Sequence, residues 1–149
     1  MSAARYVRKR PLADVHSLSQ KYEMADHLSN ALSTFFLLRA SYDLERLQLL
    51  LADGSGRPTL EVVFSMPRAF RTFAESDSWH YLSGYKGRQL VQCADPGCGI
   101  ELSGNAPYLA DYQANARAQD VETTFSCLIR TPDHCVEVIC FEEPTLQHL

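Results

Sequence analysis

Apolar residues recur at spacings of three and four along residues 17–39, a pattern typical of an amphipathic helix. Ser17 stands where an N-cap residue is expected. Near the other end, residues 35–38 read Phe-Phe-Leu-Leu, so a helix would be apolar on every side there. That widening predicts an end that is buried or docked on a second copy of the chain. We therefore expect a long N-terminal helix.

Two short segments with strict alternation follow and predict a β-hairpin. The alternating apolar positions are Leu47, Leu49 and Leu51 in the first segment, and Leu60, Val62 and Phe64 in the second. Residues 53–56, Asp-Gly-Ser-Gly, supply the turn between them. The expected register pairs Ala52 with Arg57 and places Leu49 opposite Leu60. Both apolar sets then share one face, as a half-buried sheet requires.

The rest of the chain continues as alternating short elements. We predict a short helix at 68–75, a three-strand meander at 79–83, 88–93 and 99–103, a helix at 106–118 capped by Asn105, and a closing hairpin of 121–130 with 134–142. In that last hairpin, Cys135 is expected opposite Arg130, which places Cys127 and Cys140 on the core face. The predicted fold class is α+β: an antiparallel sheet of about seven strands, in two hairpins and a meander, with the long N-terminal helix and two shorter helices packed on it.

Composition and charge narrow the classes of protein. With 149 residues, 46% hydrophobic and 21% charged, the chain is expected to form one domain, 1–149. Its net charge is −4, yet the first ten residues carry four basic groups, so 1–11 is predicted to be a flexible basic arm. An acidic body disfavours nucleic-acid binding except through that arm. No apolar run reaches membrane-spanning length and no secretory signal is recognisable, so we expect a cytoplasmic protein without membrane contact.

Candidate chemistry centres on the segment Cys93-Ala-Asp-Pro-Gly-Cys98. Two thiolates on such a turn could ligate zinc, but a structural zinc site needs four ligands, and neither His134 nor Cys135 forms a regular second pair with them. Five cysteines cannot all pair within one chain, which favours free thiols. The predicted cofactor is therefore none. Zinc held by Cys93 and Cys98, or a regulatory disulfide between them, is kept as an alternative.

Aromatic residues cluster in the middle of the chain and suggest a binding surface. The candidate ligand- or partner-binding residues are Trp79, His80, Tyr81, Tyr85 and Arg88. On a strand, at least one of these aromatics would lie off the core face, beside basic residues. No catalytic sequence pattern is recognisable, so no catalytic residue is assigned. The favoured function is a non-catalytic binding or regulatory domain, acting as a homodimer on a protein partner or small ligand. The alternative is a thiol- or zinc-dependent enzyme or metal-stabilised module using Cys93 and Cys98.

Overall fold

A computed structural model describes residues 34–95, 97–117 and 120–149. These residues form nine strands and two α-helices. The strands are β1 (Phe36–Asp43), β2 (Arg46–Ala52), β3 (Pro58–Ser65), β4 (Ala69–Ala74), β5 (Arg88–Gln92), β6 (Gly99–Ser103), β7 (Phe125–Arg130), β8 (His134–Cys140) and β9 (Thr145–His148); the helices are α1 (Trp79–Gly84) and α2 (Pro107–Asn115). Short 3-10 turns occupy Glu75–Asp77 and Val121–Thr123.

The strands make two antiparallel sheets. The four-stranded sheet has the order β1-β2-β3-β9, and the five-stranded sheet has the order β4-β8-β7-β6-β5. Alternating apolar residues of both sheets meet in one hydrophobic core, so the sheets pack face to face as a sandwich. The final strand returns to the first sheet, where Leu146 pairs with Val62.

The five-stranded sheet is covered on both faces. Its other face packs against α1 and α2 through a second apolar cluster that includes Leu82, Leu109, Leu128 and Ile139. This double cover explains why β7 and β8 are buried at nearly every position instead of at every second one. The molecule therefore has three layers: the four-stranded sheet, the five-stranded sheet and the two helices.

The predicted α+β fold, with a long N-terminal helix on an antiparallel sheet of about seven strands, is wrong: the described residues form nine strands in two sheets, and no long N-terminal helix is supported. Of the segment predicted as that helix, residues 36–39 lie in β1. The flexible arm predicted at 1–11, with residues 17–33, lies outside the described residues. The turn after β1 explains the extended structure: the Asp43 carboxylate accepts hydrogen bonds from the backbone N–H groups of Glu45 and Arg46, which folds β1 back onto β2.

Two predictions in the middle of the chain are also wrong. Residues 69–74, expected in a short helix, form strand β4, which pairs with β8. Residues 79–83, expected to begin the meander as a strand, lie in helix α1. Because Leu82 and Tyr85 are three residues apart, a helix turns both onto the sheet, where both are buried.

Other local predictions are confirmed. Strands β5 and β6 form, and helix α2 forms within 106–118, although its N-cap is Ala106 and not Asn105. The closing hairpin has the expected register, with Cys135 opposite Arg130. The first hairpin forms with its apolar sets on one face. Its register is two residues away from the expected one, because a bulge at the turn pairs Ala52 with Pro58.

Candidate functional site

The predicted aromatic set does not form a single surface. Trp79 is 57% exposed at the start of α1, and its ring lies 4.0 Å from that of His80, which is also exposed. Tyr85 is buried beneath α1, and Arg88 is half-buried on β5. Tyr81 lies between these extremes, half-buried against the five-stranded sheet. The helix separates these side chains because successive residues point about 100° apart around its axis.

Tyr81 leads to a buried carboxylate that the sequence reasoning missed. Glu137, in the middle of β8, is fully buried under the helices. Its Oε1 accepts hydrogen bonds from the Tyr81 hydroxyl at 2.5 Å and the Ser126 hydroxyl at 2.8 Å. Since Ser126 uses its only proton there, the Tyr85 hydroxyl donates to Ser126 at 2.9 Å. Glu137 is therefore the final acceptor for three hydroxyl groups: those of Tyr81 and Ser126 directly, and that of Tyr85 through Ser126.

Arg71 supplies the positive charge that compensates Glu137. Its Nε and Nη2 donate to Glu137 Oε2 at 3.1 and 2.8 Å. Burial alone would lower the pKa of Arg71, but the hydrogen bond and the charge of Glu137 outweigh burial and raise it. For Tyr81, burial and the bond to Glu137 raise the pKa, so its hydroxyl keeps its proton and remains a donor.

Aromatic rings enclose the guanidinium of Arg71. Its central carbon lies 4.4 Å from the ring centroid of Tyr108, 4.6 Å from that of Tyr81 and 5.1 Å from that of Phe73. Such contacts add cation–π attraction to the ion pair. The side chain of Arg71 is still 39% exposed, so this group ties the buried Glu137 to the surface beside α2.

A cavity of about 380 Å³ lies near the entrance to β4, lined by Met66, Pro67, Arg68, Tyr112 and Phe141. We call it the Arg68 cleft. Its volume is within the range of small-ligand pockets, about 300–1,000 Å³. The segment before β4 is held against the end of β8, because the backbone N–H of Arg68 donates to the carbonyl of Ile139 at 2.8 Å.

Arg68 dominates the chemistry of this cleft. Its guanidinium lies 4.5 Å from the ring centroid of Phe141, and its Nη2 pairs with the carboxylate of Asp120, which is 26% exposed. The Nε atom of Arg68 is buried and has no hydrogen-bond partner within the described parts of the chain. A buried N–H donor without a partner is costly, and it is the kind of group that a ligand oxygen satisfies.

Helix α2 contributes a side chain both to the Arg68 cleft and to the aromatic rings around Arg71. Tyr108 contacts Arg71, Tyr112 lines the cleft, and the two tyrosines are four residues apart on the helix. Residues at that spacing lie on the same helix face, roughly 5–6 Å apart at their Cβ atoms. The ion pair of Arg71 with Glu137 therefore lies against the same helix that carries Tyr112 to the cleft.

Cys93 and Cys98 lie together, because they occupy opposite ends of the β5–β6 turn. Gln92 pairs with Gly99, which sets Cys93 opposite Cys98 at the end of the ladder. Both thiols are buried in the same apolar cluster, close enough for each to change the pKa of the other. The neighbouring Cys93 thiol lowers the pKa of Cys98, whereas Cys98 and burial raise the pKa of Cys93.

A metal ion held by Cys93 and Cys98 would need further ligands. Across residues 34–95, 97–117 and 120–149, no group of three or more histidine, cysteine or acidic side chains is placed to hold a metal ion. Zinc at Cys93 and Cys98 stays a prediction without a second ligand pair in the described structure.

The sequence held one signal for Glu137 that went unused. The closing hairpin register places Cys135 on the helix-covered face, so Glu137, two residues on, must share that face. A charged residue between Val136 and Val138 in so apolar a strand is unusual, and a buried charge requires a partner. Arg68, by contrast, gave no sequence signal, because its cleft is assembled from three separate segments.

None of the helices in the described part of the chain is long and apolar enough to cross a bilayer. Comparison with protein-family models, with curated proteins and with solved structures finds no match to this chain.

Proposed function

We propose that this protein is a non-catalytic binding module that takes up a small carboxylate-bearing ligand in the Arg68 cleft. One observation carries the proposal: Arg68 lines a cavity of about 380 Å³ while its Nε donor is buried without a partner in the described structure. A ligand oxygen at that donor would remove the cost of an unsatisfied polar group.

The geometry of Arg68 favours a carboxylate. Arginine presents Nε and a terminal nitrogen side by side, and a carboxylate can accept from both at once. Asp120 bonds only to Nη2 in the present arrangement. Asp120 is partly exposed, so a ligand carboxylate can replace it at modest cost and gain the Nε bond as well.

The walls of the cleft suit an apolar or aromatic body on the ligand. Phe141 and Tyr112 offer ring surfaces, and Met66 offers a flexible thioether. A small aromatic acid would place its carboxylate at Arg68 and its ring between these side chains.

Binding, rather than reaction, is supported by the donor set. A guanidinium offers N–H donors and no acceptor, so Arg68 cannot act as a general base. Nearby, Arg71 and Glu137 neutralise each other and are held by Tyr81 and Ser126. They stabilise the wall beside Tyr108 and leave the cleft a rigid receptor for charge and shape.

The proposal is tested by titrating the protein with benzoate at constant ionic strength and following the Nε–Hε resonance of Arg68 by NMR. We expect this resonance to shift saturably. R68M should abolish binding, whereas D120N, which removes the competing carboxylate, should tighten it by up to about fivefold, since an exposed ion pair is worth about 0.2–1 kcal/mol.

Matched controls are R57M and D77N, which change an exposed arginine and an exposed aspartate that neither line the cleft nor adjoin a lining residue in the sequence. Both should bind benzoate as the wild type does. No saturable shift at Arg68, or equal affinity in R68M and R57M, would refute the proposal. A response to inorganic phosphate alone would point to general anion binding and also contradict it.

The remaining expectations from the sequence stay predictions. The exposed rings of Trp79 and His80 on α1 are consistent with a partner-binding surface at those two residues. The homodimer and the cytoplasmic location remain untested predictions. Size-exclusion chromatography with light scattering would test the homodimer directly.

A further inference from the structure

A second site lies at the β5–β6 turn, apart from the Arg68 cleft. Cys93 and Cys98 flank the turn as the next pair after Gln92 and Gly99. Directly opposed residues of an antiparallel pair have Cα atoms about 4.5–5.5 Å apart, which falls within the range that a disulfide spans. Directly opposed residues share one face of the sheet, and both thiols are buried in the same apolar cluster.

The turn also holds the start of the first strand. The Cys98 thiol donates to the backbone carbonyl of Phe35, with 3.4 Å between sulfur and oxygen. One residue earlier, the Thr34 hydroxyl donates to the Asp95 carboxylate at 3.2 Å. The segment that enters β1 is therefore fastened to the turn by two bonds, and one of them depends on a reduced Cys98.

We propose that Cys93 and Cys98 form a reversible disulfide when the protein meets a hydroperoxide, and that oxidation loosens the start of β1 from the β5–β6 turn. A disulfide sulfur carries no proton, so oxidised Cys98 cannot donate to Phe35. Only the bond between Thr34 and Asp95 then remains of the two.

The chemistry balances with hydrogen peroxide as the oxidant. The Cys98 thiolate attacks one peroxide oxygen, which forms an S–O bond, breaks the O–O bond and releases water after protonation. The sulfur of Cys93 then attacks the sulfur of Cys98, the S–O bond breaks, and a second water carries away the Cys93 proton. Two thiols lose two electrons in total, and one peroxide gains them.

The pKa values of the two thiols shift in opposite directions, which assigns the attacking role to Cys98 and the resolving role to Cys93. The neighbouring Cys93 thiol lowers the pKa of Cys98, which favours the thiolate, the attacking form. The pKa of Cys93 is raised, so this thiol keeps its proton until it attacks as the resolving thiol. Cys127 and Cys140 lie deeper in the same core, at 0% and 1% exposure against 7% and 5% for Cys93 and Cys98, and burial raises the pKa of both.

The first test treats the full chain with hydrogen peroxide and measures its intact mass. We expect a loss of about 2 Da, the two thiol hydrogens, reversed by dithiothreitol and mapped to a link between Cys93 and Cys98. C98S should abolish the change. C93S should stop at a sulfenic acid on Cys98 that dimedone traps, because the resolving thiol is gone.

C135S is the matched control, since Cys135 is buried in the layer beneath the helices and should not take part. It should oxidise as the wild type does. The proposal is overturned if the mass loss is absent, if it maps to other cysteines, or if C135S prevents it.

The second test measures amide hydrogen exchange at the start of β1. Oxidation should speed exchange there by roughly two- to fivefold, the effect of losing one modest hydrogen bond. C98A, which removes the donor without oxidation, should speed exchange to the same extent while reduced. Unchanged exchange in both samples would refute the release of β1.

Discussion

The two faces of the five-stranded sheet are both buried, yet they have opposite chemistry. The face toward the other sheet is wholly apolar in its centre and presents Cys127, Ile129, Val136 and Val138. The face beneath the helices carries Glu101, Ser126, Arg130 and Glu137 among its apolar residues. Because a strand alternates its side chains, β7 and β8 serve both faces at once. One face stabilises the sandwich, and the other holds the charges.

The cysteines follow the same division. Cys127 and Cys140 belong to the apolar face and behave as small hydrophobic side chains. Burial raises the pKa of Cys135, on the helix-covered face, to about 11. Only the pair at the β5–β6 turn has a neighbouring thiol that favours a thiolate. The direction of the pKa shift of each thiol therefore depends on its position in the layers.

The largest effect should come from removing the cation of the helix-covered face. R71M leaves Glu137 as a buried carboxylate without an opposite charge, which we expect to lower the free energy of unfolding by about 3 kcal/mol, near the lower end for broken buried pairs. Tyr81 and Ser126 still donate to Glu137, which limits the loss. Urea unfolding measures it.

The double variant R71M/E137Q is the control for that experiment. A neutral glutamine still accepts from Tyr81 and Ser126, so most of the lost stability should return. A double variant as unstable as R71M would show that Arg71 acts through its packing on Tyr108 and not through its charge.

A smaller comparison removes one heavy atom from each face. Y81F deletes the hydroxyl that bonds Glu137, and we expect it to lower the free energy of unfolding by about 1–3 kcal/mol. I129V deletes one methyl group from the core face and should cost about 0.5–1.5 kcal/mol. If I129V cost more than Y81F in parallel urea titrations, the polar network would contribute less than the core.

The smallest effect is a pH dependence from Glu101. Burial raises its pKa in the folded protein, although Arg130 and Gln89 pull in the other direction. Between the unfolded value, about 4.3, and the raised folded value, the folded state binds more protons. Its free energy of unfolding should therefore fall as pH rises through that window.

E101Q should remove this contribution. The stability of the wild type relative to E101Q, measured by urea unfolding from pH 4 to 7, is expected to decrease with rising pH. E45Q, at an exposed turn position, controls for the loss of a charge. A difference that stays constant or grows with pH would contradict the assignment.

Local pattern was sufficient wherever neighbours in sequence are neighbours in the sheet. The closing hairpin was predicted with its register because alternation and a short turn leave one way to bury Cys127 and Val138 together. The first hairpin was predicted with the correct face but the wrong register, since alternation allows a shift of two and the bulge at Pro58 selected it. Residues 79–83, expected in a strand, lie in α1, because a short segment of mixed aromatic and polar residues has no decisive period.

The sequence by itself determined the strands whose alternation is strict, the placement of three cysteines in the closing hairpin, and the short turn that separates Cys93 from Cys98. Tertiary structure decided the rest. Whether residues 36–39 extend as a strand depends on β2 lying beside them. Whether Glu137 is tolerated depends on Arg71, which is far away in the sequence but lies opposite Glu137 on the neighbouring strand β4. The Arg68 cleft exists only where the entrance to β4, the end of β8 and α2 converge. The physical reason is that local propensity acts over a few residues, whereas burial and charge pairing are properties of the packed layers.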